Sequence, residues 1–127
     1  MKFKGMARVL IADDSDSIRL VLKDILMIGK HELVGEGTSG EEAVQLFIKT
    51  KPEIILLDMA MPKKDGLAAL KEIIAMEPKA RIIMITATDD QKTIRDCIIA
   101  GARAYILKPF DFQNVLRTIS DVSSSQG

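Results

Sequence analysis

The stretch Glu53-Ile54-Ile55-Leu56-Leu57-Asp58-Met59-Ala60-Met61-Pro62 places four consecutive apolar residues directly before an aspartate. A short, uninterrupted apolar run is typical of a strand that is buried on both faces of a parallel sheet. Asp58 would then stand at the carboxyl end of the strand, where open α/β sheets bind ligands. Alone, the pattern fits a turn-capping aspartate equally well, because Asp is common where a chain leaves a strand.

The composition describes one small domain without a charge bias. The chain has 127 residues, with 18 basic and 18 acidic side chains and a formal net charge of zero. We therefore expect a single domain that binds neither nucleic acid nor an anionic membrane surface. Its one cysteine, Cys97, excludes an internal disulfide and suits a reducing compartment. With no secretory signal and no apolar run of membrane-spanning length, the sequence predicts a cytoplasmic protein.

Further apolar runs alternate with helical patterns along the chain. With Ile54–Leu57, the runs at 7–12, 33–36, 81–85 and 103–107 predict five strands. Polar residues suited to helix N-termini follow the strands, namely Ser15, Ser39, Asp65, Asp89 and Asp111. Gly29 is predicted to end the first helix in the left-handed conformation, and Gly101 to close the fourth.

Alternation of strands and helices predicts an α/β fold. It implies a five-stranded, doubly wound parallel sheet with right-handed crossovers and helices on both faces. We place the domain at residues 7–122, with flexible termini at 1–6 and 123–127.

Polar residues stand at the carboxyl ends of four of these strands, and these are Asp13, Asp14, Asp58, Thr86 and Lys108. Because parallel strands present their carboxyl ends at one edge of the sheet, these side chains are expected to meet there. Three clustered carboxylates repel one another unless a proton or a cation is bound. Ligands that are all oxygen, without His or Cys, favour Mg²⁺ or another hard cation.

These residues resemble the receiver domains of two-component response regulators, most of all the stand-alone chemotaxis type. The resemblance covers nearly the whole chain, from about residue 7 to residue 122. The matching motifs are Asp13-Asp14, Asp58, Met61-Pro62, Asp65-Gly66, Thr86-Ala87, Tyr105 and Lys108-Pro109. The resemblance implies a flavodoxin-like sheet with strand order 2-1-3-4-5 and a cis peptide bond before Pro109.

The resemblance also implies the chemistry of the site. Asp58 would be the phosphoacceptor that takes phosphate from a phosphohistidine on a sensor histidine kinase. Asp14, Asp58 and the backbone carbonyl of Ala60 would bind Mg²⁺ directly. Asp13 would act on the ion through water, and Lys108 would contact the phosphoryl group.

Two hydroxyl-bearing residues would then convert phosphorylation into an output. By the resemblance, Thr86 contacts the new phosphoryl group and Tyr105 turns inward behind it, so that the face formed by residues 89–122 changes for a downstream output protein. The resemblance implies a monomeric signalling switch that binds a kinase and an output protein. It would catalyse only its own phosphotransfer and dephosphorylation.

Other interpretations stay open at this point. The chain could be a receiver domain cut from a longer DNA-binding response regulator. Gly35, Gly37 and Gly40 also match the G-x-G-x-x-G fingerprint of a dinucleotide-binding α/β enzyme. A phosphatase of the haloacid dehalogenase type is disfavoured, because it requires a second aspartate where Ala60 stands.

Overall fold

Strands and helices alternate throughout residues 6–124, the part of the chain that the computed structural model describes. The strands are β1 (Arg8–Ala12), β2 (Glu32–Gly37), β3 (Ile54–Leu57), β4 (Ile82–Thr86) and β5 (Ala104–Leu107). The helices are α1 (Asp16–Ile28), α2 (Gly40–Thr50), α3 (Gly66–Met76), α4 (Gln91–Ala100) and α5 (Phe112–Ser124). The predicted alternation is confirmed.

The strands form one sheet in the order β2-β1-β3-β4-β5, and every neighbouring pair is parallel. One face of the sheet packs against α1 and α5, and the other packs against α2, α3 and α4. The predicted fold class, a doubly wound α/β sheet, is therefore confirmed. No helix among the described residues is long and apolar enough to cross a membrane.

Strand β3 shows why its sequence is an unbroken apolar run. Ile54 and Leu56 belong to the core beneath α1 and α5, whereas Ile55 and Leu57 belong to the core on the opposite face. All four side chains are buried, because alternate residues of a strand point to opposite faces and both faces are covered by helices. Asp58 follows directly after this buried strand, so the packing of the strand fixes its position.

The sequence predicts that the fourth helix starts at Asp89, which lies two residues before the observed first residue of α4. The helix begins at Gln91, and its N-cap is Asp90, whose carboxylate accepts a hydrogen bond from the Thr93 backbone N–H at 3.0 Å. Asp89 therefore precedes the helix. Helix α5 continues through Ser124, so it includes Ser123 and Ser124, which the sequence analysis placed in the C-terminal tail. The rest of the two predicted flexible termini, apart from Met6, lies outside the described residues.

Gly29 ends α1 but not in the left-handed conformation that the sequence predicts. Its φ is −80°, and the left-handed residue is the next one, Lys30, with φ 60°. A Cβ atom at Gly29 would lie 2.5 Å from the Leu116 side chain of α5. Glycine here leaves room for the Leu116 side chain of α5, which a Cβ atom would displace, and the backbone angle does not require it.

Candidate functional site

Three carboxylates meet at the carboxyl edge of the sheet. Asp13 follows β1 and Asp58 follows β3, and the two strands are neighbours, with the Asp58 backbone N–H donating to the Ala12 carbonyl at 2.9 Å. One carboxylate oxygen from each of Asp13, Asp14 and Asp58 lies within 4.8 Å of the others. The topology thus brings together two segments that are separated by more than forty positions in the sequence.

The phosphoacceptor candidate Asp58 is almost fully buried, with 5% of its surface exposed. Burial, and then the negative charge of Asp13, raise the pKa of the Asp58 carboxyl above its usual value. The positive charge of Lys108 and hydrogen bonds with Thr86 and the Met59 backbone act in the opposite direction. The carboxylate form of Asp58 is therefore held at a cost in free energy, which a further positive charge would relieve.

Lys108 supplies one cation to this cluster. Its Nζ lies 2.8 Å from Asp13 Oδ2 and 3.7 Å from Asp58 Oδ1, so the ammonium group is closer to Asp13. One ammonium group among three carboxylates leaves a formal charge of −2, which matches a divalent ion. The donors are carboxylate oxygens, and hard cations such as Mg²⁺ prefer these ligands. The residues therefore fit a magnesium site. The Lys108–Pro109 peptide bond is cis, as the resemblance implies.

The loop after Asp58 folds back onto it. The Gly66 backbone N–H donates to the Met59 carbonyl at 2.7 Å. A Cβ atom at Gly66 would lie 2.1 Å from the Asp58 carbonyl oxygen, so only glycine permits this close approach. Ala60 is exposed in this loop, two residues beyond Asp58.

A chain of hydrogen bonds links Asp58 to Tyr105. The Thr86 side chain is buried at the end of β4, bonds to Asp58, and its Oγ1 accepts from the Thr88 N–H at 3.4 Å. The Tyr105 hydroxyl in turn donates to the Thr88 carbonyl at 2.8 Å. Burial is the main cause that raises the pKa of Tyr105 to about 12, so its hydroxyl keeps the proton that it donates. Thr88, which lies between the two predicted switch residues, was not identified from the sequence as part of this link.

Arg19 of α1 is the other site residue that the sequence analysis missed. Its Nη1 donates to the Asp13 carbonyl oxygen at 2.7 Å, directly behind the acidic pair. The only signal in the sequence is its spacing of three residues from Asp16, with which it forms an ion pair. That spacing is too common on helix surfaces to single out Arg19.

The structure contradicts the dinucleotide-binding alternative. Gly35 and Gly37 lie within strand β2, whereas the fingerprint requires its glycines in the loop that joins a strand to a helix. Gly40 is the first residue of α2, and a Cβ atom there would lie 2.0 Å from the Lys64 carbonyl oxygen. Contact with the neighbouring loop therefore explains this glycine without a nucleotide.

Comparisons with known proteins give one consistent result. The family model described as "Response regulator receiver domain" matches residues 9–120. The chain is 40% identical to the chemotaxis protein CheY of Thermotoga maritima, over 91% of this chain and 97% of that one. It is 41% identical to the chemotaxis protein CheY of Bacillus subtilis, over 89% and 94% of the two chains.

A solved structure shows the same fold. It is the crystal structure of a CheX–CheY–BeF₃–Mg²⁺ complex from Borrelia burgdorferi, with a TM-score of 0.90 and 34% sequence identity. The match covers 93% of this chain and 90% of that chain. The similarity to CheY proteins therefore holds for both the sequence and the fold.

Proposed function

Since this chain belongs to the response regulator receiver family of two-component signalling, we propose that it is a switch that phosphorylation of Asp58 activates. The observation that carries this proposal is the placement of Asp58. It is a buried carboxylate at the end of the central strand, with two further carboxylates and the Lys108 ammonium group around it. A sensor histidine kinase would supply the phosphoryl group.

Mg²⁺ is the cofactor that the acidic cluster fits. Asp14, Asp58 and the Ala60 carbonyl would hold it directly, and Asp13 would act through water. When bound, the ion supplies positive charge that neutralises the oxygens of the transferring phosphoryl group. The Borrelia burgdorferi relative has Mg²⁺ and BeF₃ named in its complex, which supports the same ion for this chain.

The chain's own residues then account for the transfer. An Asp58 carboxylate oxygen attacks the phosphorus of the kinase phosphohistidine, a P–O bond forms as the P–N bond breaks, and the imidazole leaves. Lys108 and the Thr86 hydroxyl would stabilise the phosphoryl oxygens, because phosphoryl transfer relies on positioning and electrostatic stabilisation. The product is an acyl phosphate, which water hydrolyses readily, so the signal is reversible.

The output is proposed to appear on the face formed by residues 89–122. Four large apolar side chains of this segment are exposed on α4, β5 and α5, namely Ile98, Ile99, Leu107 and Phe112. Contiguous exposed apolar patches are typical of surfaces that bind another protein, so these four side chains are the first positions to test on this face. The two CheY relatives support a chemotaxis partner for this face.

We expect Mg²⁺ to stabilise the folded chain, because it relieves the repulsion among the three carboxylates. At a hundredfold excess over its Kd, a ligand adds about 2.7 kcal/mol to the free energy of unfolding. Thermal melts with and without Mg²⁺ measure this shift, and Asp14→Ala should lose it. Asp24→Ala, at an exposed aspartate of α1, is the matched control and should keep it. If Asp14→Ala kept the full shift, the ion would bind elsewhere.

The proposed function is tested by incubating the wild-type protein with acetyl phosphate, with and without Mg²⁺, and recording its intact mass. We expect one phosphoryl group per chain, formed only with Mg²⁺ and removed by hydroxylamine, since hydroxylamine cleaves acyl phosphates. An adduct that resists hydroxylamine, or no adduct at any Mg²⁺ concentration, would contradict the proposal.

A further inference from the structure

Every polar group of Asp13 has a hydrogen-bond partner. Its N–H donates to the Gly37 carbonyl at 3.1 Å, and its Oδ1 accepts from the Ser15 N–H at 2.9 Å. Its Oδ2 accepts from Lys108 at 2.8 Å, and its carbonyl oxygen accepts from Arg19 at 2.7 Å. Of these partners, only Arg19 holds the peptide group that leads into Asp14.

Arg19 is itself fixed from two sides. Its Nε donates to Glu36 Oε1 of β2 at 3.0 Å, and its Nη2 pairs with Asp16 in the first turn of α1. Only 12% of its side chain is exposed. A guanidinium group is a rigid planar fork, so contacts at Nε and Nη2 determine the direction in which Nη1 points. That direction is toward the Asp13 carbonyl oxygen.

The orientation of this carbonyl matters for Asp14. The atoms of the Asp13–Asp14 peptide group are coplanar, so fixing the carbonyl oxygen also fixes the direction of the Asp14 Cα. Asp14 is the exposed member of the acidic cluster, whereas Asp13 and Asp58 are buried. Its position therefore depends strongly on the backbone that carries it.

We propose that Arg19 is a positioning residue that sets the geometry of the Mg²⁺ site by holding the Asp13–Asp14 peptide group. This inference rests on the proposed function, in which Asp14 binds the ion. Residues behind metal ligands typically change metal affinity 10- to 100-fold when they are replaced. We expect Arg19→Gln to weaken Mg²⁺ binding by about tenfold.

A simple electrostatic role for Arg19 predicts the opposite result. Removing a positive charge near an anionic site lowers the repulsion felt by Mg²⁺, so charge alone would make binding tighter. The sign of the change in affinity therefore separates positioning from charge.

Lys23 offers a matched control on the same helix. Its Nζ pairs with the second oxygen of the same glutamate, Glu36, at 3.0 Å. Lys23→Gln therefore removes one positive charge and one contact with Glu36, as Arg19→Gln does, but leaves the bond to the Asp13 carbonyl in place. We expect Lys23→Gln to leave the Mg²⁺ affinity unchanged or slightly tighter.

Arg19→Lys keeps the positive charge but removes the planar guanidinium group, so it tests whether that group is needed. An ammonium group has no planar fork with which to hold Glu36 and the Asp13 carbonyl together. We therefore expect Arg19→Lys to bind Mg²⁺ more weakly than wild type, in the same direction as Arg19→Gln.

The experiment is an NMR titration of the backbone amides of residues 13, 14 and 58 with MgCl₂, in wild type and the three variants, well below their melting temperatures. Weaker binding in both Arg19 variants, with unchanged or slightly tighter binding in Lys23→Gln, would support the inference. Wild-type or tighter binding in either Arg19 variant would overturn it. No saturable Mg²⁺ shift in wild type would instead overturn the proposed function, whatever the variants do.

Discussion

Asp58→Asn is expected to carry no phosphoryl group after incubation with acetyl phosphate and Mg²⁺, under conditions in which the wild-type protein carries one. Asn has no carboxylate oxygen with which to attack phosphorus, so an acyl phosphate cannot form at this position. Asp13 is held by Lys108 and by backbone hydrogen bonds, and is not expected to replace Asp58 as the nucleophile. Intact mass measures the occupancy directly.

The absence of the adduct in Asp58→Asn should not be caused by unfolding, because the raised pKa of Asp58 predicts that the variant is more stable than the wild type. Burial and Asp13 raise the pKa of this carboxyl above its ordinary value of 3.8, so its ionisation destabilises the folded state. Asp58→Asn removes that cost and should unfold at a higher temperature than wild type at neutral pH without Mg²⁺. The gain should disappear as the pH falls below about 3.8, where Asp58 is protonated in both folded and unfolded chains.

A control variant completes this test. Asp121→Asn changes an exposed aspartate of α5 and should be phosphorylated like the wild type. An adduct of equal occupancy on Asp58→Asn would show that another residue is the phosphoacceptor.

Thr86→Ala is expected to accept phosphate on Asp58 but to respond less than the wild type on the face formed by residues 89–122. The Thr86 side chain is the first member of the hydrogen-bonded link that continues through Thr88 to Tyr105. Alanine cannot bond to a phosphoryl oxygen or to the Thr88 N–H, so a change at Asp58 would no longer be passed on through this link.

The size of the effect follows from the energy of a two-state switch. Reversing a 1:99 ratio of active to inactive states takes about 5.5 kcal/mol. One hydrogen bond to a charged group contributes about 1.5–3 kcal/mol of this. Without it, the active population of the phosphorylated protein should fall from about 99% to between about 40% and 90%. Lys108 and Mg²⁺ would supply the remaining energy.

NMR shifts of the amides of residues 89–122, recorded with and without BeF₃ and Mg²⁺, measure this population. Thr86→Ser keeps the hydroxyl group and is the matched control, so its response should stay close to that of the wild type. An undiminished response in Thr86→Ala would show that Thr86 does not couple Asp58 to this face.

Local patterns in the sequence predicted most of the fold. The apolar run at Ile54–Leu57 predicted a buried central strand because both faces of a parallel sheet are covered. Ser15, Ser39 and Asp65 were predicted to begin helices, and each caps one, because a cap and the N–H group that it accepts from lie within three residues of each other. The strand order and the roles of the site residues came from the family resemblance.

The errors and omissions have a common physical reason. Gly29 leaves room for the Leu116 side chain of α5, which lies nearly ninety positions later in the chain. The Arg19 contacts depend on how α1 packs beside β2, and the short distance from Lys108 to Asp13 joins residues 95 positions apart. Contacts between residues so far apart in the sequence cannot be predicted from patterns among neighbouring residues. The sequence by itself determined which elements form and which residues stand at their ends, because those choices depend on neighbours within a turn or a strand. Only the tertiary structure decided which of these residues touch, because contacts between distant segments depend on the packing of the whole domain.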